Sequence, residues 1–256
     1  STDDMSLALD VLFDLSYREA RLLGEYVLTD EETELERLQV GWEPNEHVLI
    51  WLGRYHQPSS YWNQRFHHGQ YLQTPITRPR IEEWEDTSGL LPQHMVGALL
   101  ESNWRLRERG TFELTLGLGV APSLDIDSLD PYSLLHGMRL DYHPGSNPEN
   151  AFGVLLSHNE IAVTPRLRIA RTIDFSHIDQ NIVGSYVDWN LGAWRTLGTV
   201  YYVATNFDGS AGDAADHFLA GYLEIERPIA GTIAAFSRYE FITRSDKSRY
   251  LALFPE

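Results

Sequence analysis

Between Arg54 and Asp86 this chain concentrates the side chains that could do chemistry. His56, His67 and His68 share that stretch with Glu82, Glu83, Glu85 and Asp86. Imidazoles and carboxylates together are ligands for zinc and other divalent ions. The spacing is poor for it: the adjacent His67 and His68 point apart, and no HExxH arrangement is present. The histidines read as loop residues bonded to backbone, and no metal site is expected. Arg54, Arg65, Arg78 and Arg80 form a second constellation. Guanidinium groups in a narrow passage attract phosphate or carboxylate solutes. Facing Glu82, Glu83, Glu85 and Asp86, they would set a transverse field across a constriction. Paired with those acids, they would instead hold the stretch folded, and the two roles are compatible. Tyr61, Trp62 and Trp84 add aromatic contacts of the kind a sugar-binding surface uses.

Catalysis has less support. Ser59 and Ser60 lie near His56 without a GxSxG nucleophile elbow. A glycosidase needs two carboxylates about 5 to 9.5 Å apart, a criterion that almost any pair of acids in a strand-rich chain meets. No enzyme is expected.

The elements that must position these residues are strands. From Ser6 to Arg18, Leu7, Leu9, Val11, Phe13, Leu15 and Tyr17 alternate with Ser6, Ala8, Asp10, Asp14, Ser16 and Arg18, and only Leu12 breaks the pattern. A period of two held this long means a ribbon with one apolar and one wet face. A soluble strand is about 5 to 6 residues, whereas one crossing a bilayer at a tilt needs about 9 to 11. Phe112, Leu114, Leu116, Leu118 and Val120 repeat the pattern against Thr111, Glu113, Thr115, Gly117 and Gly119. Leu38 to Trp42, Val48 to Leu52 and Val183 to Leu191 follow it too. Weaker strand candidates lie at 19–29, 94–102, 134–143, 151–159, 165–175, 196–206, 216–226, 229–243 and 248–254. These make roughly fourteen strands with no long helix, far above the ordinary share of strand.

Glu43 to Glu46 reads as a tight turn between antiparallel neighbours. Pro144 to Asn150 and Asn206 to Asp216 read as exposed polar loops, and the acidic run from Asp30 to Glu36 as a solvated turn. Residues 55–93 keep no period for almost forty residues. With Tyr61, Trp62, Phe66, Tyr71 and Trp84 they are too aromatic to stay solvated. They are expected to fold against something, and in a barrel that place is the lumen.

The whole-chain balance narrows the function classes. The 256 residues carry a formal charge of −17, which argues against nucleic acid as a partner. Cysteine is absent, which excludes disulfides and thiolate metal sites. Lys247 stands alone beside nineteen arginines. Seven Trp, 13 Tyr and 10 Phe suit membrane-interface girdles as well as a sugar-binding surface. No run of about 20 apolar residues exists for a transmembrane helix. With Ser1 first and no leader before the opening strand, the chain reads as processed or trimmed from something longer.

The run Leu52, Gly53, Arg54, Tyr55, His56, Gln57, Pro58, Ser59, Ser60, Tyr61, Trp62, Asn63, then His67, His68, Gly69, and then Arg78, Pro79, Arg80, Ile81, Glu82 resembles porin-like outer-membrane barrels of Gram-negative bacteria. In these a strand ending in Gly-Arg leads to a Pro-containing loop. The likeness is densest from Val48 to Leu100, and Leu253 to Glu256 departs from it by lacking a terminal aromatic residue. The resemblance implies a passive channel or a related barrel, with no cofactor, in outer-membrane lipid, and a trimer as an oligomeric state.

The expectation is therefore a single antiparallel transmembrane β-barrel domain over 1–256. The loop 55–93 folds into the lumen, and small hydrophilic solutes or ions diffuse through. The apolar parity should form an outer belt flanked by Tyr17, Trp42, Trp51, Trp104 and Trp189. Arg171, amid the apolar parity of 165–175, would have to lie near an interface or beside a bulge. The rival is a secreted or periplasmic β-sandwich that binds glycans through Tyr61, Trp62 and Trp84 and could hydrolyse them, burying the same parity between two sheets. A third reading makes the barrel an anchor or conduit of a larger envelope assembly, with a partner protein.

Overall fold

The computed structural model describes residues 8–29, 33–66, 78–82, 94–121, 133–163, 165, 168–169, 172–209, 214–231, 233–243 and 248–253. Twelve strands are found among them: β1 (Ala8–Tyr17), β2 (Ala20–Thr29), β3 (Thr33–Asn45), β4 (Val48–His56), β5 (His94–Arg105), β6 (Gly110–Ala121), β7 (Ser133–Pro144), β8 (Ala151–Ala162), β9 (Phe175–Leu191), β10 (Trp194–Gly209), β11 (Ala214–Ala230) and β12 (Ile233–Ile242). Each pairs antiparallel with its neighbour in sequence, giving one sheet in the order β1 to β12. No pairing between β1 and β12 occurs among the described residues. A six-residue helix, α1 (Tyr61–Phe66), and short 3₁₀ turns complete the described elements.

The difference between twelve strands and the expected fourteen lies in two segments. The described residues of 165–174 form no strand, and β9 starts only at Phe175; 248–253 is a turn followed by the 3₁₀ turn Leu251–Leu253. Both segments hold apolar residues that pack on the sheet, among them Ile173, Tyr250 and Leu251. Their alternation reflects contact with the core and not pairing. Arg171 lies outside the described residues.

The longest spans between strands all fall at one end of the sheet. Residues 18–19, 46–47, 106–109, 145–150, 192–193 and 231–232 close one end with short connections, and the other end carries the longer spans 57–93 and 163–174. Two expected loops shrink. β10 runs to Gly209 and β11 starts at Ala214, so Asn206 and Asp216 are paired strand residues, opposite Ala215 and Thr205. β3 likewise continues through the expected turn to Asn45, whose side chain accepts a hydrogen bond from the backbone N–H of His47 at 2.9 Å.

Polarity across the sheet is reversed from that of a soluble protein. Leu156, Val183, Tyr202 and Leu219 stand in register on β8 to β11, and all four are exposed. Three residues along, a row on the opposite face reads Asn159, Gln180, Thr205 and Asp216, and all four are buried; the row between, Ser157, Ile182, Val203 and Phe218, is buried and mostly apolar. On β6 the exposed or half-buried parity is Phe112, Leu114, Leu116, Leu118 and Val120, whereas Thr115, Gly117 and Gly119 are buried. The buried face is not wholly polar. Tyr186, Tyr201, Phe207, Phe218 and Tyr222 form a core with α1, and Trp51, Tyr55, Met95, Leu99 and Leu135 form a second cluster.

The exposed face ends in aromatics at the short-turn end. Trp104, Phe112, Tyr142 and Phe152 lie in one register row across β5 to β8. Ring centroids are 5.0 Å apart for Phe112–Tyr142 and 5.3 Å apart for Tyr142–Phe152. Tyr17 and Trp42 are exposed there too, and Trp189 is half-buried. Trp51 departs from the expected belt. It is buried on the opposite face, and its indole N–H donates to Glu101 Oε2 at 2.8 Å.

Candidate functional site within the sheet

After His56 the chain leaves β4 and lies down on the buried face of the sheet. Two glycines make room for it. A Cβ on Gly137 of β7 would meet Gln57 Oε1 at 2.5 Å, Ser59 Oγ at 2.8 Å and Pro58 Cγ at 2.9 Å, and one on Gly117 of β6 would meet Pro58 Cδ at 3.0 Å. Polar bonds fix the approach. Ser59 Oγ donates to the Leu156 carbonyl at 2.8 Å, and Gln57 Nε2 to Ser157 Oγ at 3.4 Å.

The helix α1 then packs on β9 and β10. Tyr61 stacks on Tyr186 with centroids 3.8 Å apart, and its hydroxyl donates to Asp188 Oδ2 at 3.0 Å. Asp188 also receives two hydrogen bonds of 2.9 Å from the Arg195 guanidinium, whose carbon lies 5.4 Å from the Phe66 ring centroid. Tyr186 donates to Asp141 Oδ1 at 2.7 Å; Arg139 binds the other oxygen of Asp141 and also donates to Gln64 on α1.

Among the described residues of the segment Glu82 is the deepest charged group, 1% exposed. Ser60 Oγ donates to its Oε2 at 2.6 Å and Tyr201 OH to its Oε1 at 2.9 Å. Burial pushes its carboxyl up to about 6, while the two hydroxyl donors and the nearby Arg78 charge pull in the opposite direction.

The sequence-derived site residues separate into three groups. Arg78 lies 5.7 Å from the Trp62 ring centroid, and its carbonyl accepts from Arg238 at 3.2 Å; Trp62 and Glu82 are buried beside it. Arg65 and Arg80 are exposed; Arg65 lies 3.9 Å from Asp188, and the backbone N–H of Arg80 donates to Glu240 Oε2 at 2.8 Å. Arg54 stands apart from both sets, because register places it opposite Leu38 and Val96 on the exposed parity, and its Nε donates to the Glu36 carbonyl at 3.1 Å. Glu83, Trp84, Glu85 and Asp86 lie outside the described residues, as do His67 and His68.

Asp141, Asp188, Arg139, Arg195 and Tyr201 were missed by sequence reasoning. They sit on strands at wet-parity positions, where a charged residue reads as solvated. Their partners are up to 127 residues away in sequence, as for Tyr61 and Asp188, and no local pattern announces such a pair.

No family model matches the chain, and no curated protein matches it. Among solved structures, a loop L8 deletion mutant of OmpT, an outer membrane protein of Vibrio cholerae, is similar at 9% identity over 93% of this chain and 91% of that one, with a TM-score of 0.44. In-vitro folded OmpT is similar at 10% identity over 93% and 84%, and its trimer form at 11% over 93% and 86%, each with a TM-score of 0.46. Similarity at this level leaves function to the chain's own residues.

Proposed function

We propose that this protein is a β-barrel of the bacterial outer membrane that passes small hydrophilic solutes or ions through a lumen narrowed by the segment 55–93. The reversal of polarity across the sheet carries the reading. A sandwich would bury Leu156, Val183, Tyr202 and Leu219 between two layers, but these are exposed while Asn159, Gln180, Thr205 and Asp216 are buried. A transmembrane barrel needs that arrangement, with an apolar belt toward lipid, polar groups inward and aromatics at the interface.

The position of a passage follows from which inward residues stay solvated. On β8 to β11 they are covered by α1 and the 3₁₀ turn Arg80–Glu82. On β1 the inward residues Asp10, Asp14 and Ser16 are exposed, and Arg21 on β2 is half-buried beside Glu43. Solutes would pass between this wall and the exposed Arg65 and Arg80 of the segment, in a field between acids and guanidinium groups. Passage would need no cofactor and involve no catalysed reaction.

Conductance of detergent-refolded protein in a planar bilayer under a salt gradient tests this. Discrete steps are expected, and a reversal potential that moves toward cation preference in an R65E/R80E variant. Silence from inserted, folded protein would contradict the channel.

A further inference from the structure

Three residues converge where the segment begins and ends. His56 is the last residue of β4 and His94 the first of β5, directly opposite one another in register. Glu36 lies on the adjoining β3, next to the bulge between the pairs Glu25–Arg37 and Tyr26–Leu35. This position reads from sequence as part of a solvated acidic turn, yet Glu36, His56 and His94 are 6%, 7% and 2% exposed. One donor atom from each of the three lies within 4.8 Å of the others, and His94 Nε2 is 2.6 Å from Glu36 Oε2. The imidazole rings are 5.1 Å apart at a tilt of 57°, so they do not stack face to face. Arg54, the nearest cation on β4, donates its Nε proton to the Glu36 backbone carbonyl.

We propose that Glu36, His56 and His94 bind a divalent first-row transition ion of the zinc class. Two imidazole nitrogens and one carboxylate oxygen make a donor set that zinc takes at about 2.0 to 2.2 Å, with a further position for water. Three donors on three neighbouring strands come within 4.8 Å of one another, and ligation needs the 2.6 Å Glu36–His94 contact to open. Ligation needs the imidazole nitrogens and the carboxylate free of protons, so binding releases any they carry. Its placement gives it a structural consequence. His56 immediately precedes the inward segment and His94 immediately follows it, so a bound ion clamps both ends of that segment to β3. The sequence set His56 beside His67 and His68, which lie outside the described residues. Glu36 and His94 are joined to it only by strand register.

The test is titration of untagged, chelator-stripped, detergent-refolded full-length protein with ZnCl2 by calorimetry, and with CoCl2 by visible absorption. Saturable one-to-one zinc binding is expected, with cobalt d–d bands that zinc displaces. E36Q and H94Q should each lose that binding, while an H67Q/H68Q double variant should keep it. Zinc should also protect residues 57–93 of the wild type from proteolysis. Absence of saturable binding to folded wild type would overturn the proposal and leave an ordinary close Glu–His contact. So would binding that survives H94Q and vanishes in H67Q/H68Q. None of these outcomes bears on whether the protein conducts.

Discussion

At the scale of single residues, Glu82 is the clearest pH sensor in the segment. Its folded value of about 6 lies above the ordinary 4.5, so the folded state holds the proton more tightly than the unfolded one. Stability from this group is then complete below pH 4.5 and is lost as pH rises through 6, by about 2 kcal/mol. Denaturant midpoints measured between pH 4 and 8 should show that loss in the wild type and not in Glu82→Gln, which cannot ionise. Asp188 accepts hydrogen bonds from Arg195 and Tyr61 at once. Asp188→Ala should cost about 1 to 3 kcal/mol in chemical denaturation, because it leaves the buried Tyr61 hydroxyl unpaired and the partly buried Arg195 with only Glu226, at 3.9 Å. Little of this was legible in the sequence. Arg78, Glu82 and Trp62 stood out as a chemically rich stretch and do share a buried cluster, but the strand residues that complete it are set by register over long separations.

At the scale of elements, the alternation of apolar and polar residues located the strands well, because period two survives wherever one face differs in solvent from the other. It failed at 165–175 and 248–254, where apolar residues pack as turns on a core already built. It also could not say which face is buried. Leu156→Arg tests that directly. In a lipid-facing belt it should cost about 2 to 4 kcal/mol in refolding into vesicles, whereas on a water-exposed sheet it should change stability by less than about 0.5 kcal/mol. The glycines of β6 and β7 carry a second prediction. Gly137→Leu leaves no space for Pro58 and Gln57 against the sheet, so the segment should be displaced. Protease cleavage within residues 57–82 should become faster, and single-channel conductance should rise above that of the wild type.

At the scale of the whole molecule, the described strands form one continuous antiparallel sheet that leaves rows of large apolar side chains exposed on one face and buries polar and charged groups such as Asp141, Asp188 and Glu224 on the other. The formal charge of −17 is compatible with this because the acids sit largely on wet-parity positions, in turns and in pairs with arginine such as Glu25–Arg37, Asp141–Arg139 and Asp188–Arg195. The most direct test of the central claim is a scan of single cysteines along β8, from Phe152 to Asn159, spin-labelled in lipid vesicles. The cysteine-free chain makes every label unique. Labels at 152, 154 and 156 should be accessible to oxygen dissolved in the bilayer and shielded from a polar nickel reagent, while labels at 153, 155 and 157 should show no lipid exposure. Labels at 152, 154 and 156 that meet the nickel reagent freely would contradict a membrane-spanning barrel.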